Sequence, residues 1–178
     1  TRLVSHKGLD LVKGGVDNIM TYSNAQFVVL GSGDWEYEQF FKEMQAKYPG
    51  RFVLCQGFVP ELARKIYGGS DIFLMPSKSE PCGLSQMVAL RYGSIPVVRE
   101  TGGLKDSITD SGDGKGNGFT FQTYDTQDML NSVHRAIYAY NESKDGWKVL
   151  VERAMACDNS WGRSANDYIR LYKQLINS

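Results

Sequence analysis

Asp71-Ile72-Phe73-Leu74-Met75-Pro76-Ser77-Lys78-Ser79-Glu80-Pro81-Cys82-Gly83-Leu84-Ser85-Gln86 reads in order as a strand, a turn and the start of a helix. Residues 71–75 form an apolar run of buried-strand length, and Pro76-Ser77-Lys78 breaks it. Leu84, Met87, Val88 and Leu90 then recur at helical spacing, which predicts a helix packed on a sheet and closed by Gly93 as its C-terminal cap. Pro81 suits the first turn of such a helix, where no backbone donor is missed. Glu80 is thereby expected beside free N–H groups at a positive helix end, a setting that favours its ionised form. A carboxylate at the mouth of a strand-to-helix turn is where chemistry is expected.

The same alternation runs outward in both directions. Upstream, residues 26–30 read as a strand, Gly31-Ser32-Gly33-Asp34 as a tight turn with a helix cap, and 35–48 as a helix stopped by Pro49-Gly50. Residues 51–55 supply the next strand, and a helix over 60–67 leads through Gly68-Gly69 into the central stretch. A helix is predicted over 9–22 despite Gly14-Gly15. Residues 1–8, charged and irregular, read as a loop whose own strand has been cut away. Downstream, 94–98 is a strand, and Thr101-Gly102-Gly103-Leu104 is a second strand-to-helix turn opening a short helix to Ile108. The glycine-rich polar run 111–118 is a loop, 119–121 a last strand, and helices follow over 126–140, 144–155 and 161–176. Short connections and strands apolar throughout predict an α/β fold, a Rossmann-like doubly wound parallel sheet covered on both faces. Such sheets bind ligands beyond the carboxyl ends of their strands, so the turns at 80–84 and 101–104, if neighbours, face one anion.

Composition narrows the function. The 178 residues suit one domain that buries roughly two thirds of its unfolded surface. Twenty basic and twenty acidic residues cancel, which argues against a nucleic acid or an anionic membrane as partner. Cys55, Cys82 and Cys157 are odd in number and scattered, with no C-x-x-C pair or His-rich cluster, so a reducing compartment and no metal are expected. No apolar run approaches the roughly 20 residues of a membrane span, and no signal-peptide core opens the chain, so a soluble intracellular protein is expected. The chain has no G-x-x-x-x-G-K-[ST], and Gly31-Ser32-Gly33 lacks the third glycine and later acid of a dinucleotide site. Nucleoside triphosphatases and ordinary dehydrogenases are set aside.

Arg2-Leu3 with Lys7-Gly8, Glu80-Pro81-Cys82-Gly83-Leu84, Arg91-Tyr92-Gly93 and Thr101-Gly102-Gly103-Leu104 together resemble bacterial glycogen synthases and plant starch synthases, over nearly the whole chain. The resemblance implies the C-terminal, nucleotide-sugar-binding half of a retaining GT-B glycosyltransferase. Its family transfers glucose from ADP-glucose to the non-reducing end of an α-1,4-glucan without a metal or other cofactor. By the same resemblance Arg2 and Lys7 bind the diphosphate and offset charge on the departing ADP. Glu80 faces the donor glucose and supports an oxocarbenium-like transition state. Backbone groups of Cys82, Gly83 and Leu84 contact glucose, and Ser85, where relatives often have Thr, lies near the phosphates. Thr101, Gly102, Gly103 and Leu104 line the same pocket, and Phe58 stacks on the base. His6 stands where Gln is common. Val88 stands where many other retaining GT-B transferases carry a second Glu, which glycogen and starch synthases also lack.

The resemblance further implies an N-terminal domain with the acceptor site, and an opening strand, ahead of Arg2, so that the chain alone should not turn over. It implies the bacterial cytoplasm, or a plastid in a plant. Taken without the family, Glu80 is a capping carboxylate, Arg2 and Lys7 are solvated charges, 101–104 is a tight turn, and Cys82 is a small buried residue. His6 and His134 are then surface and helix residues, and Phe58 equally a core residue. The aromatic stripe Trp161, Tyr168 and Tyr172 by itself reads as core packing; the resemblance, in whose family the C-terminal helix crosses back towards the N-terminal domain, implies instead an exposed apolar patch near Tyr168 and Tyr172. A retaining transferase for UDP- or GDP-sugars and a non-catalytic nucleotide-sugar module stay open beside the synthase.

Overall fold

The computed structural model describes residues 1–176. Strand β1 (Arg2–Leu3) leads through a 3₁₀ turn (Ser5–Lys7) into α1 (Leu9–Tyr22). Then come β2 (Phe27–Gly33), α2 (Trp35–Lys47), β3 (Phe52–Gln56), α3 (Pro60–Gly69), β4 (Ile72–Met75) and α4 (Ser85–Tyr92). The remainder is β5 (Ile95–Arg99), α5 (Gly102–Ser107), β6 (Phe119–Phe121), α6 (Thr126–Glu142), α7 (Lys144–Met155) and α8 (Trp161–Ile176). The α/β alternation is as expected, and every strand pair is parallel.

Where one continuous sheet is expected, the backbone ladders form two, ordered β1-β2-β3 and β4-β5-β6. The reason is the length of β1, whose two residues pair with Ser32 and Gly33 of β2. The halves still meet edge to edge, since the Lys78 N–H, after β4, donates to the His6 carbonyl, after β1, at 2.9 Å. One hydrophobic core, including Leu3, Phe41, Phe52, Ile95, Leu104 and Met129, runs through both. Strand order therefore advances in opposite directions from the β1/β4 junction, the place where doubly wound folds open a ligand crevice.

Several local expectations need correction. Arg2 and Leu3 are strand rather than loop. Gly31-Ser32-Gly33 continues β2 instead of turning, because β1 lies against it so closely that a Cβ on Gly31 or Gly33 would stand 2.0 or 2.3 Å from the carbonyl oxygen of Thr1 or Leu3. Asp34 opens α2 but its side chain makes no capping bond. Helix α4 begins at Ser85, leaving Pro81 outside it. Its inward residues are Gln86, Ala89 and Leu90, while Leu84 and Val88 are exposed. The expected C-cap is present: Gly93 is left-handed and its N–H returns to Ala89 and Leu90.

Helix α6, capped by the Asp125 carboxylate on the N–H groups of Gln127 and Asp128, lies across α1. His134 Nε2 there meets Asn18 Oδ1 at 2.8 Å, and Gly15 sits buried beneath Met129 and Leu130. No residue of α8 is buried, and Tyr168 and Tyr172 are 60% and 57% exposed, so the expected apolar patch is present. No described helix is long and apolar enough to cross a membrane.

One ion pair ties the α5–β6 connection to α6. Asp110 accepts from Arg135 Nη1 and Nη2 at 3.0 and 2.5 Å, and from the N–H groups of Gly112 and Thr120 at 2.8 and 2.7 Å. Burial pushes its carboxyl up, but the bonds from Arg135, Thr120 and Gly112 outweigh burial and hold it below the ordinary 3.8. A carboxyl depressed in the folded state stabilises the fold above its unfolded pKa and loses that contribution as pH falls through the folded value. Arg135→Met is therefore expected to cost on the order of 1 kcal/mol near neutrality, after discounting a pair nearly half open to solvent. The difference in Tm from the unsubstituted chain should shrink towards zero below about pH 4, which melts across that range test.

Candidate active site

Lys7 and Glu80 approach the β1/β4 junction from opposite sides. Lys7 ends the 3₁₀ turn after β1, and Glu80 stands in the irregular segment between β4 and α4. Lys7 Nζ lies 2.6 Å from Glu80 Oε2, with the two side chains 20% and 13% exposed. Exclusion of water makes this pair stronger than a surface bridge, and makes either partner costly to strip alone. The helix N-terminus expected beside Glu80 begins only at Ser85, so the charge that meets the carboxylate is Lys7 rather than a helix end. The Ser77 hydroxyl, fully buried, adds a second donor to Glu80 Oε2 at 3.3 Å.

The two turns are neighbours, as the fold requires for a shared ligand. The Gly103 N–H donates to the carbonyls of Glu80 and Pro81 at 3.1 and 3.2 Å. A Cβ on Gly102 would stand 2.2 Å from the Glu80 carbonyl oxygen, and one on Gly103 1.8 Å from that of Cys82. Glycine at both positions lets two backbones touch where side chains would hold them apart.

Gln86, fully buried on the inner face of α4, fastens the arrangement from below. Its Nε2 donates to the carbonyls of Cys82 and Gly83 and to Ser107 Oγ of α5, at 3.4, 3.1 and 3.0 Å. Ser107 Oγ in turn donates to the Gly103 carbonyl at 2.6 Å. No side chain caps α4 or α5, so the leading N–H groups of Ser85 and Gln86 are free of side-chain partners at an electropositive end.

The other expected residues divide. Phe58 follows β3 at the same carboxyl edge and is 92% exposed, which excludes a core role and suits stacking. Cys82 is exposed rather than buried, and Leu84 is exposed beside it. Leu104 is fully buried in the core, so only its backbone can face a ligand. Thr101 and Ser85 are half-buried at the starts of α5 and α4. Arg2 is exposed and makes no ion pair among the described residues, Lys7 and Glu80 included. His6 is exposed and contributes its carbonyl, as a surface residue would. Two surface hollows, of about 390 and 550 Å³, lie elsewhere and are lined by neither Lys7, Glu80 nor the 101–104 turn.

Sequence reasoning missed Ser77, Gln86, Arg99 and Tyr124. The available signal was polarity beside an apolar pattern: Gln86 sits on the inward face of a helix, and Ser77, itself buried, comes two residues after β4. Arg99, the last residue of β5, donates to the Ser77 and Lys78 carbonyls. Its guanidinium lies 5.5 Å from the centroid of the Tyr124 ring, and so does Lys78 Nζ. Burial first, and then its bond to Asp10, push the Tyr124 phenol well above its usual range. Among the described residues no group of three His, Cys, Asp or Glu is placed to hold a metal ion.

The profile of the glycosyl transferases group 1 matches residues 1–146. A glycogen synthase of Pseudothermotoga lettingae is 50% identical over 177 residues, covering 98% of this chain and 36% of that protein. One of Geobacillus stearothermophilus is 51% identical over 178 residues, covering 99% and 36%. The chain thus spans little more than a third of the curated relatives it matches. The catalytic domain of starch synthase IV from Arabidopsis thaliana, solved bound to ADP and acarbose, superposes with a TM-score of 0.87 at 39% identity, over 100% of this chain and 38% of that one. The Rossmann-like, GT-B type of fold expected is the one observed. With its profile matched across most of its length and its two strand-to-helix turns laced together at the switch point, the chain belongs to the glycosyl transferases group 1 family.

Proposed function

We propose that this chain is the C-terminal, donor-binding half of a retaining synthase that transfers glucose from ADP-glucose to the non-reducing end of an α-1,4-glucan. The observation that carries the proposal is the water-shielded Lys7–Glu80 pair at the β1/β4 junction, in a chain half identical to glycogen synthases. In this reading the pair is the resting state of the site. An incoming diphosphate competes for Lys7, with Arg2, which makes no ion pair among the described residues, as a second cation, and frees the Glu80 carboxylate to hold sugar hydroxyls and the positive charge that grows on the anomeric carbon. The N–H groups at the start of α4 supply further donors to phosphate, the backbone of 82–84 and 101–104 borders the sugar, and Phe58 offers its face to the base. The bacterial relatives favour the cytoplasm over a plastid.

Calorimetric titration of the chain with ADP, ADP-glucose and UDP-glucose tests this directly. Adenine-selective binding is expected, weakened about tenfold or more by Lys7→Ala and less by Arg2→Ala, given the strength of charge-assisted bonds to phosphate. Preference for UDP-glucose would assign the site to the other donor class. Binding indifferent to Lys7→Ala would remove the phosphate role.

A further inference from the structure

Arg99 carries a full charge, yet among the described residues it has no carboxylate partner. Its guanidinium is spent on backbone: Nε donates to the Ser77 carbonyl at 3.3 Å and Nη2 to the Lys78 carbonyl at 2.9 Å. Both acceptors belong to the short segment that carries Glu80. Each is also tied onward, Ser77 through its hydroxyl to Glu80 Oε2 and Lys78 through its N–H to the carbonyl of His6, the residue before Lys7. One side chain thus spans two consecutive peptides whose other bonds reach the carboxylate on one side and the lysine turn on the other.

The guanidinium is itself held. Its Cζ lies over the Tyr124 ring, 5.5 Å from the centroid, Lys78 Nζ approaches the same ring at 5.5 Å, and the Tyr124 hydroxyl donates to Asp10 in the first turn of α1. Five parts of the fold meet here: the end of β5, the β4–α4 segment, the 3₁₀ turn, the start of α1 and the loop before α6. A multiply donating guanidinium can grip two carbonyls and hold its charge over a ring at once, which a single ammonium nitrogen does less well.

We infer that Arg99, seated on the Tyr124 ring, is a positioning residue that sets the separation and orientation of Lys7 and Glu80. The inference rests on the donor-site reading for its functional meaning. Its geometric content, that Arg99 fixes the Ser77–Lys78 segment, can be read independently of any ligand. A displacement of about 1 Å at a reacting centre can cost on the order of a hundredfold in rate, so such a clamp matters without touching substrate.

The test uses the full chain with Arg51→Ala as a matched control, because Arg51 Nη2 grips the carbonyls of Ser23 and Ala25, at 2.6 and 3.0 Å, in the α1–β2 connection. Amide exchange at Lys78, followed by NMR, and ADP affinity by calorimetry are measured beside Tm. Arg99→Ala is expected to speed Lys78 exchange and to weaken ADP binding, each about tenfold, with partial recovery in millimolar guanidinium. Tyr124→Leu should act in the same direction, and Tyr124→Phe, which keeps the ring, much less. Arg51→Ala should lower Tm without either effect. If Arg99→Ala does not fold, Arg99→Lys, with one nitrogen for two carbonyls and no flat face, takes its place. Equal effects of the Arg99 and Arg51 variants, or unchanged Lys78 exchange, would overturn the inference. Specific loss of Lys78 protection in a chain that binds no ADP would uphold the clamp while removing the donor-site reading.

Discussion

Glu80→Gln, introduced into a synthase of the relatives' length that carries this chain, is expected to lower the rate of glucosyl transfer by about a thousandfold or more, with ADP affinity within about threefold. Glutamine preserves shape, and its side-chain oxygen can still accept from Ser77 and Lys7, which approach Glu80 Oε2 at 3.3 and 2.6 Å. What it loses is negative charge. Before donor binds, that charge is balanced by Lys7. In the proposed reaction it acts once the lysine has turned to phosphate, when positive charge on the sugar is greatest. A loss confined to the transition state lowers kcat, whereas a capping or merely structural carboxylate would leave kcat close to its starting value, whatever either does to stability. A thousandfold loss corresponds to about 4 kcal/mol, an ordinary size for removing one electrostatic group from a shielded site. Retention of more than about a tenth of the rate would return Glu80 to the role of a structural anion.

Gly103→Ala should destabilise the fold by about 3 kcal/mol and abolish measurable nucleotide binding, because the added methyl has no flexible neighbour to displace. It would lie 1.8 Å from the carbonyl oxygen of Cys82 and 2.5 Å from its carbon, both backbone atoms. The 80–84 and 101–104 turns must then part, and the Gly103 N–H loses the carbonyls of Glu80 and Pro81. At this chain length a loss of that size lowers Tm by roughly 10 °C. Gly69→Ala is the fitting control: Gly69 ends α3, and a Cβ there meets nothing within 4 Å, so its Tm should hold or rise slightly. Equal melting of the two variants would show that the turns are not in contact.

Much of this architecture was legible because strand and helix periods rarely imitate one another. The runs at 72–75 and 95–98 are too short and too apolar for anything but buried strands, and the glycines at 83, 93 and 103 punctuate the chain where the backbone must turn sharply or pass close. What misled was local appearance overridden by a distant partner. Gly31-Ser32-Gly33 has the composition of a turn, yet β1 recruits it into the sheet. Leu84 and Val88 look like core, yet the helix turns Gln86 inward because carbonyls of the preceding turn and a serine of α5 need its amide. The pairing of Lys7 with Glu80 links positions 73 apart, which no local pattern can reveal. Arg99 and Tyr124 were invisible for the same reason, since each is an unremarkable residue until the fold brings carbonyls and a ring together.

The seam between α1 and α6 governs how the chain is made. His134 and Asn18, which meet across it, are 116 positions apart. A ribosome adding about 5–20 residues each second would take roughly 6–23 s between completing one and reaching the other. Throughout that interval Gly14, Gly15 and Asn18 have been synthesised without the Thr126, Met129, Leu130 and His134 that meet them. The face of α1 that meets α6 is therefore open to chaperones and to aggregation while the chain is being made, and slow codons between α1 and α6 would lengthen that exposure rather than relieve it.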